Sequence, residues 1–148
     1  MNALRTKVEE FYRKIWNDHD KSAIHALVND DFSFRGSLGQ AKRGHDGFAE
    51  YVDMVHKALG NYKCTIVDLV VEEPKAFARM EFSGIHSGRF MGYEPTGKIV
   101  SWAGCALFTF KNNKVLDLWV LGDLKALDEQ LKKNELHRLS SKVPQDPI

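Results

Sequence analysis

Apolar residues recur at helical spacing along the first 60 residues of the chain. The earliest set, at offsets of three, four and seven residues, predicts an amphipathic opening helix: Leu4, Val8, Phe11, Tyr12, Ile15 and Trp16. Asp20 is suited to cap a short second helix that runs to about Val28. A third helix, stopped by Gly60 and Asn61, is predicted from a further apolar stripe: Phe48, Tyr51, Val52, Val55 and Leu59.

After these helices the apolar pattern changes to the two-residue alternation of strands. It predicts a hairpin from residues 62–71 and 75–89, and a second hairpin from residues 98–110 and 114–121. A shorter strand is predicted around residues 32–34, and Leu124, Leu127 and Leu131 fit a closing helix. In the second strand of the first hairpin, one face is shared by Ala78, Met80, Phe82, Gly84 and His86. The chain is therefore predicted to be one α+β domain over residues 1–135, followed by a polar tail over residues 136–148.

Composition narrows the function classes. The 21 basic and 20 acidic residues give a formal net charge of +1, which offers no positive field for a nucleic-acid backbone. No apolar run is long enough to span a bilayer, and the charged N-terminus is unlike a signal peptide, so a cytoplasmic location is expected. Cys64 and Cys105 lie in apolar strand segments and are interpreted as small buried hydrophobes rather than a disulfide or metal pair.

The sequence contains no glycine-rich phosphate loop, no paired histidines at metal spacing and no nucleophile elbow. No cofactor and no metal are therefore expected, so any reaction would depend on acid–base catalysis and on the shape of the binding pocket. The chief candidates are two polar residues at the ends of apolar strands, His86 and Asp123.

Asp123 follows an apolar strand directly, and two interpretations of it stay open. In the first, the carboxylate caps the closing helix. In the second, it enters a pocket whose apolar walls raise its basicity, so that it abstracts a proton near neutral pH. A strict two-residue period puts it on one face with Val115, Asp117 and Trp119, whereas a bulge at Gly122 breaks that register.

His86 shares its strand face with Met80 and Phe82, so it is expected to line a cavity and to hydrogen-bond there without binding metal. The alternative is a hydrogen-bonded core histidine. Large aromatics usually fill a core, but several that converge on one cavity form a flat slot for a planar ligand. The candidates for such a substrate-binding slot are Trp16, Phe32, Phe34, Trp102 and Trp119.

The segments HSGRFMGYEPTGKIVSW and KVLDLWVLGDLKALDEQL resemble the SnoaL-like polyketide cyclases, or ester cyclases, of the nuclear transport factor 2-like superfamily. With FYRKIWNDHDKSAIHALVNDDF, the resemblance covers about residues 8–132. It implies a cone, in which a strongly curved, mostly antiparallel sheet wraps around helices and encloses a blind pocket. It also implies that Asp123 is the acid and base of a cofactor-free intramolecular aldol condensation. A hydrogen-bond donor such as His86 would stabilise the alkoxide that develops in this reaction.

Three functions compete on this fold. The first is a cyclase, or related lyase or isomerase, acting on a small hydrophobic carbonyl compound with Asp123 as base. The second is a non-catalytic binding module for a small hydrophobic molecule. The third is an epoxide-type hydrolase, for which only Asp117, Arg79 and Asp123 offer the carboxylates and arginine. A homodimer through the outer face of the sheet is expected, because the strands of residues 98–121 are apolar on both faces.

Overall fold

The computed structural model describes residues 3–141, in which four α-helices pack against one six-stranded sheet. The helices are α1 (Ala3–Glu10), α2 (Ile24–Leu27), α3 (Gly44–Ala58) and α4 (Leu124–Ser141). The strands are β1 (Val28–Arg35), β2 (Ala41–Arg43), β3 (Leu59–Glu72), β4 (Lys75–His86), β5 (Ile99–Lys111) and β6 (Lys114–Gly122). A π-helical segment (Phe11–Asn17) continues α1, and a 3-10 turn (Lys21–Ala23) precedes α2. This architecture confirms the predicted α+β class.

The sheet has the strand order β2-β1-β6-β5-β4-β3. The two long hairpins predicted from the sequence pair antiparallel, β3 with β4 and β5 with β6. β1 pairs antiparallel with β2 and parallel with β6. The sheet is therefore mostly antiparallel, as predicted, and β2 and β3 form its two edges.

The predicted helical faces are the buried faces. Every residue of the opening stripe is at most 5% exposed, and the Asp20 side chain accepts a hydrogen bond from the Ser22 amide at 3.1 Å. The third helix ends at Ala58, earlier than predicted, because Leu59 already pairs with His86 as the first residue of β3. The three-residue strand β2 was not predicted, since its largely exposed residues carry no alternating pattern.

The interior of the cone is filled by aromatic side chains from the helices and the inner face of the sheet. Phe11 stacks on Phe48 of α3, with ring centroids 5.8 Å apart, and meets Phe108 of β5 edge-on at 5.4 Å. All three side chains are completely buried. Each aromatic side chain removes a large apolar area from water, so this cluster fixes the helices against the concave side of the sheet.

Two side-chain amides pair with strand backbone where the neighbouring strand is missing. The Asn17 amide donates to the Cys64 carbonyl at 3.1 Å and accepts from the Cys64 N–H at 2.7 Å. The Gln130 amide of α4 makes the same pair of bonds with Ser101 of β5. Each amide thus satisfies one donor and one acceptor that a further strand would otherwise have paired.

The closing helix is held to the sheet by Leu127 and Leu131, which are completely buried. α4 continues to Ser141, beyond the start of the tail predicted over residues 136–148. The remainder of that tail, residues 142–148, lies outside the described residues. Within residues 3–141, no helix is long and apolar enough to cross a membrane.

Replacing Asn17 by Ala should lower the free energy of unfolding by about 1–3 kcal/mol, because the buried N–H and C=O of Cys64 both lose their partner. Urea unfolding monitored by tryptophan fluorescence measures the change. Asn134→Ala in α4 is the matched control and should be neutral or slightly stabilising. Equal stability of the Asn17 variant and the wild type would show that this pairing contributes nothing.

Candidate functional site

A small cavity of about 20 Å³ lies inside the cone, which is roughly the space of one water molecule. Its walls come from the π-helical segment, α3 and the inner faces of the strands. The lining residues are Tyr12, Trp16, Phe34, Ser37, Tyr51, Tyr62, Cys64, Phe82, Leu118 and Val120. The cone therefore has a nearly filled interior rather than an open chamber.

Three tyrosine hydroxyls enter this apolar interior, and they differ in their partners. The Tyr51 hydroxyl forms hydrogen bonds with the Leu38 backbone and the Ser37 side chain, and the Tyr62 hydroxyl forms one with the Cys64 side chain. The buried Tyr12 hydroxyl has no hydrogen-bond partner among the described residues. Burial raises the pKa of Tyr51 to about 12 and raises the pKa of Tyr12 well above its usual value. All three rings are thus neutral hydrogen-bonding groups at physiological pH.

A larger cleft of about 450 Å³ opens at one end of the cone, within the size range of small-molecule sites. It lies between the turn at residues 38–40, the last turns of α3 at residues 54–58, and the loop at residues 88–91. Gly88 lets this loop approach closely, because a Cβ atom there would lie 2.6 Å from the Lys57 carbonyl oxygen. The walls are mostly apolar, with Gln40, Lys57 and Arg89 as polar groups.

The cleft and the interior cavity are lined by neighbouring residues at one point. Ser37 lines the cavity, while its neighbour Leu38 lines the cleft. The buried Phe90 also lines the cleft, and it packs against Trp102 with ring centroids 6.3 Å apart. We call this end of the cone the mouth.

Asp123 and Trp119 both lie outside the cone, so Asp123 follows the capping interpretation and Trp119 does not line the interior cavity. Asp123 is exposed, and its carboxylate accepts a hydrogen bond from the Ala126 amide at 3.1 Å, so it caps α4. Trp119 is 40% exposed and lies beneath the Arg35 guanidinium, 5.5 Å from its ring. The physical reason is a bulge in β6 between Val115 and Asp117, after which Leu118 and Val120 are the buried residues.

Asp123 instead borders an apolar depression of about 360 Å³ on the outer face of the sheet. Phe77 and Leu121 line this depression, as does Arg79, which forms an ion pair with Asp68 at 2.6 Å. Among the described residues, no aspartate or glutamate lines the interior cavity or the mouth cleft. The carboxylate pair and arginine of an epoxide-type hydrolase are therefore not brought together inside the cone.

His86 lies on the inner face of β4 and is completely buried. Its Nε2 is 3.3 Å from the Tyr93 carbonyl oxygen, and its Nδ1 is 3.4 Å from the Thr96 hydroxyl. Burial lowers the pKa of His86, so the ring is neutral at pH 7, although the backbone hydrogen bonds to Tyr93 and Gly88 oppose the shift. The ring contacts Phe90 rather than the interior cavity itself.

The other predicted aromatics divide into cavity-lining and core residues. Trp16 and Phe34 line the interior cavity. Phe32 and Trp102 do not line the cavity, because they pack behind two residues that do: Phe32 stacks on Phe34, and Trp102 packs on Phe82. Sequence reasoning missed Tyr12 and Tyr51 as site residues because they were assigned only to apolar helical faces. A hydroxyl on such a face was the available signal.

Within residues 3–141, no group of three or more histidine, cysteine, aspartate or glutamate side chains is arranged to hold a metal ion. Both cysteines are free, and Cys64 is buried, where desolvation raises the pKa of its thiol. The polar groups that line the cavity and the cleft are hydroxyls, an indole, the Cys64 thiol, the Gln40 amide and the two cations at the mouth.

This architecture is that of the nuclear transport factor 2-like cone. The model of the SnoaL-like polyketide cyclase family matches residues 6–131, and the chain belongs to that family. The resemblance noted in the sequence is thereby confirmed over nearly the whole described chain. The chain matches no curated protein.

Solved structures agree with this assignment of the fold. TsrD from Streptomyces laurentii is 25% identical with a TM-score of 0.77, over 87% of this chain and 94% of that one. A candidate SnoaL-like polyketide cyclase from Jannaschia sp. CCS1 is 18% identical with a TM-score of 0.79, over 87% and 91%. A SnoaL-like polyketide cyclase from Agrobacterium tumefaciens is 20% identical with a TM-score of 0.75, over 88% and 99%.

Proposed function

We propose that the protein binds a small, largely apolar organic acid that carries a carbonyl group, and that the mouth cleft is its binding site. The supporting observation is the combination of apolar walls with two cations and no acidic side chain among the residues lining the cleft. Family membership supports the same ligand class, because polyketides are chains that bear carbonyl groups. Binding and orienting such a chain is the function that this geometry supports best.

The charges at the mouth favour an anion. Lys57 is exposed in the last turn of α3 and makes no ion pair within residues 3–141. Arg89 is 3.6 Å from Glu94, and both side chains are largely exposed, so this ion pair is weak and leaves the guanidinium accessible. A carboxylate at the rim would contact these cations while its apolar chain packs on Leu38, Met54 and Phe90.

Exchanging both cations, Lys57→Gln with Arg89→Gln, should weaken binding of a medium-chain 3-oxo acid about tenfold, because two partly exposed charge contacts are lost. Binding of the corresponding methyl ester should not change. Isothermal titration calorimetry measures both affinities, and Lys132→Gln on α4 is the control for a charge change away from the cleft. If wild-type protein binds acid and ester equally, the anion site is wrong.

A second candidate function, an intramolecular aldol condensation with Asp123 as acid and base, is favoured by one observation. The Asp123 carboxylate borders the apolar depression on the outer face of the sheet. A β-dicarbonyl compound has an acidic methylene, so a single carboxylate suffices to remove its proton and return it to the alkoxide. In this candidate the reaction takes place on the outer face and not inside the cone.

Asp123→Asn should leave the fold intact, because asparagine also caps a helix. If Asp123 is the base, turnover of a β-dicarbonyl substrate that the wild type converts should fall by about 10²-fold to 10⁴-fold, since the amide takes up no proton. Substrate loss followed by ultraviolet absorbance measures the rate, and thermal unfolding verifies the fold. Full turnover by the variant would leave Asp123 with its capping role alone.

We also propose that two copies of the chain associate through the outer face of the sheet. The supporting observation is a set of apolar side chains on that face that stay 36% or more exposed: Phe77, Ile85, Ile99, Trp119 and Leu121. A second copy would cover these side chains and close the depression beside Asp123.

Light scattering of the wild type at micromolar concentration should give twice the mass of one chain. Leu121→Lys should give the mass of one chain, because a charge at the centre of an apolar interface must be desolvated without a partner. Leu136→Lys, on the exposed face of α4, is the matched control and should leave the mass unchanged. A monomeric wild type would exclude the proposed association.

A further inference from the structure

We propose that the interior cavity is a subsite for a ligand carbonyl oxygen, with the Tyr12 hydroxyl as its hydrogen-bond donor. The inference rests on the proposed function, because the carbonyl belongs to the same organic acid whose charged end occupies the mouth. It assigns the interior to the carbonyl and the mouth to the carboxylate.

The first observation is the unpaired state of Tyr12. Its hydroxyl is buried, lines the cavity and has no hydrogen-bond partner among the described residues. An unpaired buried hydroxyl carries the full cost of its desolvation, so an isosteric phenylalanine would serve a purely structural role better. The paired hydroxyls of Tyr51 and Tyr62 in the same cavity have no such cost.

The second observation is a further unpaired donor next to the cavity. The buried Trp102 Nε1–H also lacks a partner within the described residues. It lies beside Gly122 and Ser37: a Cβ atom on Gly122 would be 3.0 Å from Trp102 Nε1 and 3.1 Å from Ser37 Cβ. An indole N–H only donates, and a neutral phenol donates readily, so each of these two groups lacks an acceptor.

The size and charge of the cavity select a carbonyl oxygen. A volume of about 20 Å³ admits one water-sized group and excludes a ring. The absence of a basic side chain from the cavity lining disfavours a carboxylate there. A carbonyl oxygen meets both conditions, and the Ser37–Leu38 peptide borders both the cavity and the cleft.

The test compares a 3-oxo acid with the saturated acid of the same length by isothermal titration calorimetry. Wild-type protein should bind the 3-oxo acid about tenfold more tightly, and Tyr12→Phe should abolish that preference. The Tyr12 variant should still prefer the acid to the methyl ester. The Lys57 and Arg89 variant should lose that preference but should still prefer the 3-oxo acid to the saturated acid. Thermal unfolding should show that Tyr12→Phe is as stable as the wild type or more stable.

Tyr93→Phe is the matched control, because the Tyr93 hydroxyl donates to Asp128 at 2.9 Å away from the cavity. This variant should keep the preference for the 3-oxo acid. Equal affinity of Tyr12→Phe and wild type for the 3-oxo acid, or a wild type without that preference, overturns the subsite.

A neutral ketone, 2-nonanone, separates the carbonyl subsite from the proposed function. If 2-nonanone binds the wild type but not Tyr12→Phe, the carbonyl subsite stands even where the mouth shows no preference for acids. If neither the ketone nor the acid binds the wild type, the subsite and the proposed function are both wrong.

Discussion

The contact of Phe11 with Phe48 and Phe108 is the interaction on which the rest of the interior depends. It joins the first helical segment, α3 and β5 at one point, and none of the three rings has any exposed surface. Tyr12 and Trp16 lie on the same helical face, so their position in the cavity follows from this packing. The mouth depends on it as well, because α3 carries Tyr51, whose hydroxyl holds the turn at Leu38.

The helices and the first hairpin were predictable because each has one buried face. The opening stripe from Leu4 to Trp16 has a single interpretation at helical spacing, and the alternation from Ala78 to His86 separates buried residues from Arg79 and Glu81. For β6 the pattern is ambiguous, because Leu118 and Val120 on one face are as apolar as Trp119 and Leu121 on the other. The bulge after Val115 decides between the faces, and no residue type in that segment signals it.

That ambiguity also explains which part of the candidate site was not predictable. Asp123 comes directly after β6, so the face of the sheet on which its side chain lies depends on the register of a strand that is apolar on both faces. Tyr12 and Tyr51 were not predictable as cavity residues for a different reason, because they belong to helical faces that also form the core. Family and fold were recognisable from motifs, whereas the polar groups that meet a ligand depend on packing between distant segments.

The amide of Asn17 has a consequence for how copies of this chain meet. β3 is a 14-residue strand at the edge of the sheet, and an uncovered edge of that length is a template on which further strands add without limit. Asn17 occupies both backbone groups of Cys64 near its middle, and Arg5 donates to the Leu69 carbonyl further along at 2.8 Å. Addition of a further strand along β3 is thereby blocked at two points, so this long edge does not serve as the template for a fibril.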